Sequence, residues 1–419
     1  MDIVVVGAGA AGLRTAICLK KHNHDLNIRV LEANPEAGGR MYTYHTKVAG
    51  RPIQYDTGAG RIHSSHKLLL DLLKHYDIKT ATLPEATSWR RLGSTSTEPD
   101  NFDELWSTLI RLYRELPPAL LRTQTLREIT IDVMGAQHAN ALLEAYPYRA
   151  EIEIMSGDSS VDLYSSLEAG SFCVPIGGFE RLTHSMVKEA KDLGVQFEFN
   201  AEVQRIEFKD DQRYHITGLK NKKFKEWTID RLILAIPVNA MERIYPFSPD
   251  HPLLKRIRME PLMRIYSVYK AKDAAWFPPT RVVTNSPLRY IIPISQKTGV
   301  IMSSYLDSRD IEFWHDLHKK DNNKLLKDKI QQETQALFPE LTIPEAEITT
   351  AHLWRDGCSY WLPGDYDYKK ASQQALLPMP QTHPRLHLVG ESFSTKQQWI
   401  EGALEHADAL VELLKEDYR

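Results

Sequence analysis

Three glycines near the amino terminus have the spacing of a loop that binds a dinucleotide. Gly7, Gly9 and Gly12 form a G-x-G-x-x-G pattern, with Ala11 inside it. Gly7 permits a tight turn, Gly9 lets the backbone approach a pyrophosphate, and Gly12 lets a helix pack closely on a strand. The pyrophosphate would lie at the helix N-terminus, where unpaired N–H groups and the helix dipole favour an anion.

Glu32 follows Gly12 by twenty positions, at the end of the second apolar run. A carboxylate there accepts hydrogen bonds from ribose hydroxyls, and its charge disfavours the 2′-phosphate of NADP. A glycine triplet alone is also compatible with an ordinary strand–helix turn. Because a strand, a helix and Glu32 accompany the triplet, we interpret it as a dinucleotide site.

Two further segments favour FAD over a nicotinamide cofactor. Gly39 and Arg40 follow Glu32 closely, in a second glycine loop with a cation for the pyrophosphate or the flavin edge. Their alternative is a surface turn with a solvated arginine. Gly390 and Glu391 follow an apolar run near the carboxyl terminus, where Glu391 is suited to bond the ribityl chain or a phosphate-bound water. A nicotinamide enzyme has no need for that distant element, so the predicted cofactor is FAD.

Arg61 follows the small stretch Gly58-Ala59-Gly60, which allows a ligand or a flavin to come close to the backbone. A guanidinium in such a place can bind a carboxylate through a bidentate pair of hydrogen bonds. The alternative is a salt bridge, for which Asp56 is a candidate. The first interpretation predicts a substrate that carries a carboxylate.

The apolar pattern that must position these residues is typical of an α/β fold. Ile3–Val6 and Ile28–Leu31 are predicted as buried strands joined by a helix at Leu13–Lys21, which makes one βαβ unit. Helical spacing continues between about residues 67 and 166, including one helix over Leu120–Ile131. Alternating segments between Arg264 and Tyr305 predict a second, antiparallel sheet.

The predicted architecture is a discontinuous Rossmann-like FAD-binding domain of the GR2 type with an inserted α+β substrate domain. The FAD-binding segments are expected at residues 1–72, 172–246 and 380–419. The substrate domain combines a helical insert at 73–171 with the antiparallel sheet at 247–379.

Composition and charge exclude several classes of protein. The chain has 419 residues, of which 42% are hydrophobic and 26% charged, and its net charge of -3 gives no support for nucleic-acid or anionic-membrane partners. Its 3 cysteines are too few and too scattered for a disulfide framework or a metal cluster, so no metal is predicted and a reducing cytoplasm is expected. No apolar stretch reaches the ~20 residues of a membrane span. A homodimer is left open.

Five stretches resemble the flavin-containing amine oxidase superfamily, which includes monoamine, polyamine and L-amino acid oxidases and tryptophan monooxygenases. They are VVVGAGAAGL at 4–13, LEANPEAGGRM at 31–41, VPIGGFERL at 174–182, RLILAIPVNAM at 231–241 and LVGESFSTKQQWIEGALEHA at 388–407. They occur in the family's order and span nearly the whole chain.

The resemblance implies roles at both ends of the cofactor. The backbone of Val203 would hold the adenine edge, and Trp399 would stand beside the flavin ring, with Glu401 and Ala403 in the helix aimed at its pyrimidine end. Independently, a large flat ring between a polar loop and a helix N-terminus is suited to wall a pocket, although a core tryptophan is the alternative. Arg61 is similar to the arginine that binds the α-carboxylate in L-amino acid oxidases and tryptophan monooxygenases.

Three further positions follow from the same resemblance. Arg264 lies where related oxidases often carry a lysine that holds a water near flavin N5, so it either keeps that positive charge or forms a salt bridge. Cys358 resembles the cysteine that binds flavin covalently in monoamine oxidases, but its neighbours differ, so we expect non-covalent FAD, with a link at Cys358 as the alternative. Tyr360 and Trp361 are candidates for a substrate cage, with core packing as the alternative.

The implied reaction is oxidation of a primary amine, and Arg61 favours an L-amino acid. A hydride passes from the carbon that bears the amine to flavin N5, the imine hydrolyses to a carbonyl and ammonia, and molecular oxygen reoxidises the flavin to give hydrogen peroxide. Alternatives are a monoamine or polyamine oxidase without carboxylate recognition, a desaturase-type flavoenzyme, and a flavin-binding protein without turnover. The desaturase alternative predicts an apolar insert, whereas Thr87–Asp103 is polar.

Overall fold

The computed structural model describes residues 1–83, 86–93, 102–144, 146–167, 170–244, 246–317, 323–378 and 383–418. The strands are β1 Asp2–Val6, β2 Asn27–Leu31, β3 Thr43–Val48, β4 Arg51–Asp56, β5 Ile62–His63, β6 Thr80–Thr82, β7 Thr87–Arg90, β8 Phe172–Pro175, β9 Gln196–Glu198, β10 Ala201–Phe208, β11 Tyr214–Lys220, β12 Lys223–Ile229, β13 Arg231–Leu234, β14 Ile257–Val268, β15 Arg281–Thr284, β16 Tyr290–Ser295, β17 Val300–Asp307, β18 Ile348–Trp361 and β19 Leu386–Leu388.

The α-helices are α1 Ala10–His22, α2 Lys67–His75, α3 Phe102–Arg114, α4 Pro118–Thr123, α5 Leu126–Met134, α6 Ala136–Leu143, α7 Arg149–Glu153, α8 Gly157–Ser166, α9 Glu180–Asp192, α10 Val238–Met241, α11 Glu312–His315, α12 Lys324–Leu337, α13 Tyr368–Leu376 and α14 Ile400–Leu414. None of the helices in the described ranges is long and apolar enough to cross a membrane.

A five-stranded parallel sheet forms the nucleotide-binding part, in the order β19-β13-β1-β2-β9. The apolar run of β1 occupies the centre because Ile3, Val4 and Val5 are all buried between layers. Helices α1 and α14 pack on one face, where Leu13 and Leu404 share a core. The predicted βαβ unit and the mixed α/β class are confirmed, while the GR2 assignment and the domain boundaries stay predictions.

A six-stranded sheet has the order β18-β14-β17-β16-β15-β7. Its pairs are antiparallel except β15 with β7, which run parallel. The predicted antiparallel sheet is therefore present, but the long strand β18 was not predicted. The reason is that β18 lacks clean alternation, since most of its first nine residues are only partly buried.

The inserted segment at residues 73–171 is mostly helical, as predicted, with one correction. The helix expected over Leu120–Ile131 is interrupted, because α4 ends at Thr123 and α5 begins after Thr125. Thr125 and Glu128 form a capping box that starts the second helix. Of the polar stretch Thr87–Asp103, residues 94–101 lie outside the described residues, and its first four residues form β7.

Candidate active site

A cavity of about 830 Å³ lies between the parallel sheet and the six-stranded sheet, a volume typical of ligand sites. The predicted residues that line it are Gly9, Ala11, Glu32, Gly39, Arg40, Gly58, Ala59, Gly60, Arg61, Arg264, Tyr360, Gly390, Glu391, Trp399 and Ala403. The two predicted clusters, at the nucleotide loop and around Arg61, therefore open on one continuous space.

Five predicted residues do not line this cavity: Gly7, Gly12, Val203, Trp361 and Glu401. Val203 pairs with Gly218 in the β10–β11 hairpin, and its side chain packs in a core. Trp361 is fully buried and donates from Nε1 to the carbonyl of Ser394 at 3.0 Å. The cage role expected for Trp361 is therefore corrected to core packing, because neighbouring residues on a strand face opposite sides and Tyr360 takes the cavity side.

The glycine loop divides into structural and open positions. A Cβ at Gly7, where φ is +102°, would lie 2.5 Å from the carbonyl oxygen of Ala235, and one at Gly12 would lie 2.0 Å from that of Gly7. A Cβ at Gly9 would meet nothing within 4 Å, although Gly9 lines the cavity. Gly9 therefore leaves free space against the backbone, as a site for a pyrophosphate requires.

Glu32 is fixed at the carboxyl end of β2 with its carboxylate beside the same loop. Its Oε2 accepts the N–H of Ala8 at 2.8 Å, and its Oε1 accepts the backbone N–H and Nδ2 of Asn34, both at 2.8 Å. Asn34 also lines the cavity and was not predicted from the sequence. These bonds hold the carboxylate in one orientation at the position expected for ribose recognition.

Arg40 and Glu391, predicted separately, form an ion pair at 2.7 Å. Arg40 also donates to the carbonyl of Gly357 at 3.0 Å, and Glu391 accepts the N–H of Gln398 at 2.6 Å. Burial opposes the charge of Arg40, but the carboxylate of Glu391 raises its pKa above the usual value. The pair thus joins the loop after β2 to the loop after β19 at the cavity wall.

Arg61 projects into a ring of aromatic side chains. Its guanidinium carbon lies 4.5 Å from the ring centroid of Phe172, and 5.5 Å from those of Tyr148 and Trp399. It forms no ion pair with any residue in the described ranges. The alternative of a salt bridge to Asp56 is therefore wrong, since the carboxylate of that residue accepts hydrogen bonds from Thr43 and Phe179 instead.

Arg264 is a second cation at the cavity, and its side chain is 7% exposed. Its Nη1 is 3.4 Å from the carbonyl oxygen of Asp56, and its guanidinium lies 4.9 Å from the ring of Tyr305. A Cβ at Gly60 would lie 2.7 Å from Nη1, so a side chain there would require the guanidinium of Arg264 to shift. Of the two predicted roles, retention of positive charge fits better than a salt bridge, because none of its described contacts is a carboxylate.

Trp399 precedes α14 and presents its ring to the cavity. The ring is nearly parallel to that of Phe172 at 6.3 Å, and the ring of His66 packs on it at 4.7 Å. Burial lowers the pKa of His66 to about 3, so this imidazole is neutral. The indole Nε1 is buried without a partner within the described residues, which leaves a donor for a ligand.

The cavity residues that were not predicted from the sequence include four polar ones on the substrate side: Tyr148, Glu151, Tyr305 and Asp307. They lie on or beside α7 and at the end of β17, segments that are distant in the chain and meet only in the folded protein. One signal was available, because Asp307 directly follows the mostly apolar stretch at 300–306. Charged residues at strand ends often belong to ligand sites.

Cys358 lines the cavity next to the Arg40–Glu391 pair, and its thiol is free. Burial and then the charge of Glu391 raise the pKa of this thiol to about 12. A thiol of that pKa stays protonated at neutral pH, and the thiolate is the reactive form.

A parallel sheet with a glycine turn after a central strand, opening on a cavity, is the arrangement of a dinucleotide-binding protein. The family model described as flavin containing amine oxidoreductase matches residues 10–162 and 148–411. The chain belongs to this family, as its motifs predict, and is a flavin-dependent amine or amino-acid oxidase.

Individual relatives are similar at low identity over almost the full length. A Bacillus subtilis (strain 168) protein named "Putative L-amino-acid oxidase YobN" is 20% identical over 96% of this chain and 92% of its own. The L-amino-acid oxidase of Naja atra is 23% identical over 96% of this chain and 85% of its own. Aplysianin-A of Aplysia kurodai is 21% identical over 98% of this chain and 89% of its own.

Proposed function

We propose that this protein binds FAD non-covalently and oxidises the C–N bond of an L-amino acid. The choice of substrate rests on Arg61. Its guanidinium lines the cavity and has no carboxylate partner in the described chain. A desolvated cation of this kind is stabilised by an anionic ligand, and a carboxylate matches its bidentate geometry. Two relatives named as L-amino-acid oxidases support the same substrate class.

The chain has the groups that FAD requires. The open backbone at Gly9 and the adjacent Gly39 would receive the pyrophosphate, and Glu32 would bond the ribose hydroxyls. Trp399 would stand beside the isoalloxazine ring. When bound, FAD supplies the redox chemistry by accepting a hydride from the carbon that bears the amine.

The protein's own residues would orient the substrate and keep water out. Arg61 would hold the α-carboxylate, while the rings of Trp399, Tyr148 and Tyr360 would confine the reacting end. Fixing this geometry removes much of the entropic cost of the reaction. Arg264 would keep a positive charge at the cavity wall, where reduced oxygen species carry negative charge.

The products proposed are an imine that hydrolyses to a 2-oxo acid and ammonia, with oxygen as the electron acceptor and hydrogen peroxide as its product. The buried, protonated thiol of Cys358 favours non-covalent FAD. We also propose a cytoplasmic location, because the low number of cysteines fits a reducing compartment.

The test compares each L-amino acid with the amine that lacks its carboxylate. The purified protein is mixed anaerobically with both, and flavin bleaching is followed, with peroxide measured in air. We expect Arg61→Met to raise KM for an amino acid by roughly 10- to 100-fold, since a charge-assisted hydrogen-bonded contact contributes about 1.5–3 kcal/mol. The matching amine serves as the control and should change little.

Bleaching only by amines without a carboxylate would refute the proposal and favour a monoamine or polyamine oxidase. An unchanged KM for amino acids in Arg61→Met would assign Arg61 a structural role.

A further inference from the structure

Two carboxylates that the proposed chemistry does not use face the same cavity. Glu151 lies on α7, and Asp307 ends β17. Neither forms an ion pair with a lysine, arginine or histidine in the described ranges. Asp307 bonds the backbone of the two residues that precede Glu151, so the two carboxyl groups belong to one part of the cavity wall. Burial raises the pKa of both carboxyl groups, although the charge of Arg61 lowers that of Glu151.

Neutral donors hold both groups in place. Glu151 accepts hydrogen bonds from the hydroxyls of Tyr146, at 2.7 Å, and Tyr164. Asp307 accepts the backbone N–H groups of Arg149 and Ala150, each at 3.1 Å. A carboxylate has about four acceptor positions, so each group keeps capacity for further donors. A buried carboxylate without a partner in an ion pair carries a desolvation penalty that a cationic ligand would offset.

A third polar group, Tyr360, which also confines the ligand in the proposed function, lines the cavity wall close to α7. Its side chain is 3% exposed and lines the cavity, yet its hydroxyl has no hydrogen-bond partner among the described residues. A hydroxyl at a cavity wall without a protein partner is available to form a hydrogen bond with a ligand. Tyr360 packs in one cluster with Ala150 of α7, whose N–H bonds Asp307, which places Tyr360 beside this segment.

We propose that Glu151 and Asp307 bind a cationic group on the substrate side chain, so that the preferred substrates are basic L-amino acids. This rests on the proposed function and names the substrate class of the same site. Arg61 would hold the α-carboxylate, and the two acids would bind the side-chain ammonium or guanidinium. The reacting amine cannot supply this charge, because it must lose its proton before its carbon can release a hydride.

Acidic amino acids are the competing class, because Arg264 and Arg281 also line the cavity. Arg264 already contacts a carbonyl oxygen and the ring of Tyr305, and Arg281 has other polar or ring contacts. A side-chain carboxylate would in addition be repelled by Glu151 and by the ionised fraction of Asp307, whose pKa is about 7. The basic class is therefore favoured.

The experiment measures binding separately from turnover. The FAD-loaded protein is reduced under anaerobic conditions, so that it cannot oxidise a ligand, and is titrated calorimetrically with L-lysine, L-norleucine and L-glutamate. L-norleucine matches the lysine side chain without its ammonium. We expect L-lysine to bind at least ~10-fold more tightly than L-norleucine, because one charge-assisted hydrogen bond contributes about that much to affinity. The kcat/KM value for L-lysine should exceed that for L-norleucine by a similar factor.

The variants Glu151→Gln and Asp307→Asn should each reduce the lysine preference about tenfold and leave L-norleucine binding nearly unchanged. Glu153→Gln is the matched control, because Glu153 lies on the same helix but pairs with Arg149 and Arg309 and does not line the cavity. Because Asp307 also anchors α7, Glu151→Gln is the decisive variant if Asp307→Asn folds poorly.

Equal binding of L-lysine and L-norleucine, or tighter binding of L-glutamate, would overturn the inference. An equal loss for both neutral and basic ligands in Glu151→Gln would do the same. If L-lysine binds preferentially but no amine reduces the flavin, the cationic subsite stands and the proposed oxidase function fails.

Discussion

Gly9→Ala should separate the binding of FAD from the folding of the protein. Gly9 has φ −79° and ψ −174°, which an alanine adopts without strain. A Cβ at this position meets no protein atom within 4 Å. The folded protein should therefore tolerate the methyl group, and could gain about 0.4–1 kcal/mol because alanine reduces the freedom of the unfolded chain.

The same methyl group would occupy the space that a pyrophosphate needs against the loop. Forcing an extra carbon into a packed contact typically costs about 1–3 kcal/mol. We therefore expect FAD to bind roughly 10- to 100-fold more weakly to Gly9→Ala. The measurement is a fluorescence titration of FAD into the apoprotein, with thermal unfolding of the same apoprotein recorded alongside.

Gly12→Ala is the matched comparison. Its Cβ would lie 2.0 Å from the carbonyl oxygen of Gly7, so α1 could not keep its position on β1. This variant should lose stability before any cofactor is added. The reasoning would be refuted if Gly9→Ala bound FAD as tightly as the unmodified chain, or if its apoprotein unfolded as early as Gly12→Ala.

Three further predictions concern other parts of the fold. Glu401→Ala should destabilise the protein by about 1–2 kcal/mol in denaturant unfolding, because Glu401 accepts the N–H groups of Leu68 and Leu69 at the start of α2; an unchanged midpoint would contradict this. Cys358→Ser should retain FAD to the same extent as the unmodified protein, and acid precipitation of both should release the flavin; flavin in the precipitate of the unmodified protein alone would show a covalent link. Asp307→Asn should flatten the fall in stability of the apoprotein between pH 4 and 7. Folding raises the pKa of Asp307 from 3.8 to about 7, so the protonated carboxyl stabilises the folded state by about 4 kcal/mol below pH 3.8, and this contribution is lost as pH rises to 7. An identical pH profile in the variant would refute that shift.

Several residues predicted for the cofactor line the cavity together, because they lie close to one another in the chain. Gly9, Glu32 and Gly39 belong to one βαβ unit and the loop that follows, so their spacing alone fixes their geometry. The same holds for Arg61, which follows a glycine-rich turn and does reach the cavity. Alternation along a strand would also have predicted that only one of Tyr360 and Trp361 faces the cavity. This prediction was not made, because the sequence pattern did not identify β18 as a strand.

The sequence by itself determined the nucleotide loop, the buried parallel strands and the family to which the chain belongs. Only the tertiary structure decided that Arg40 pairs with Glu391, that Arg61 has no carboxylate bonded to it in the described chain, and that Glu151 and Asp307 line the same cavity. The physical reason is that local motifs are set by backbone geometry over a few residues. Charge pairing and burial instead depend on which distant strands and helices pack together, and no spacing in the chain encodes that.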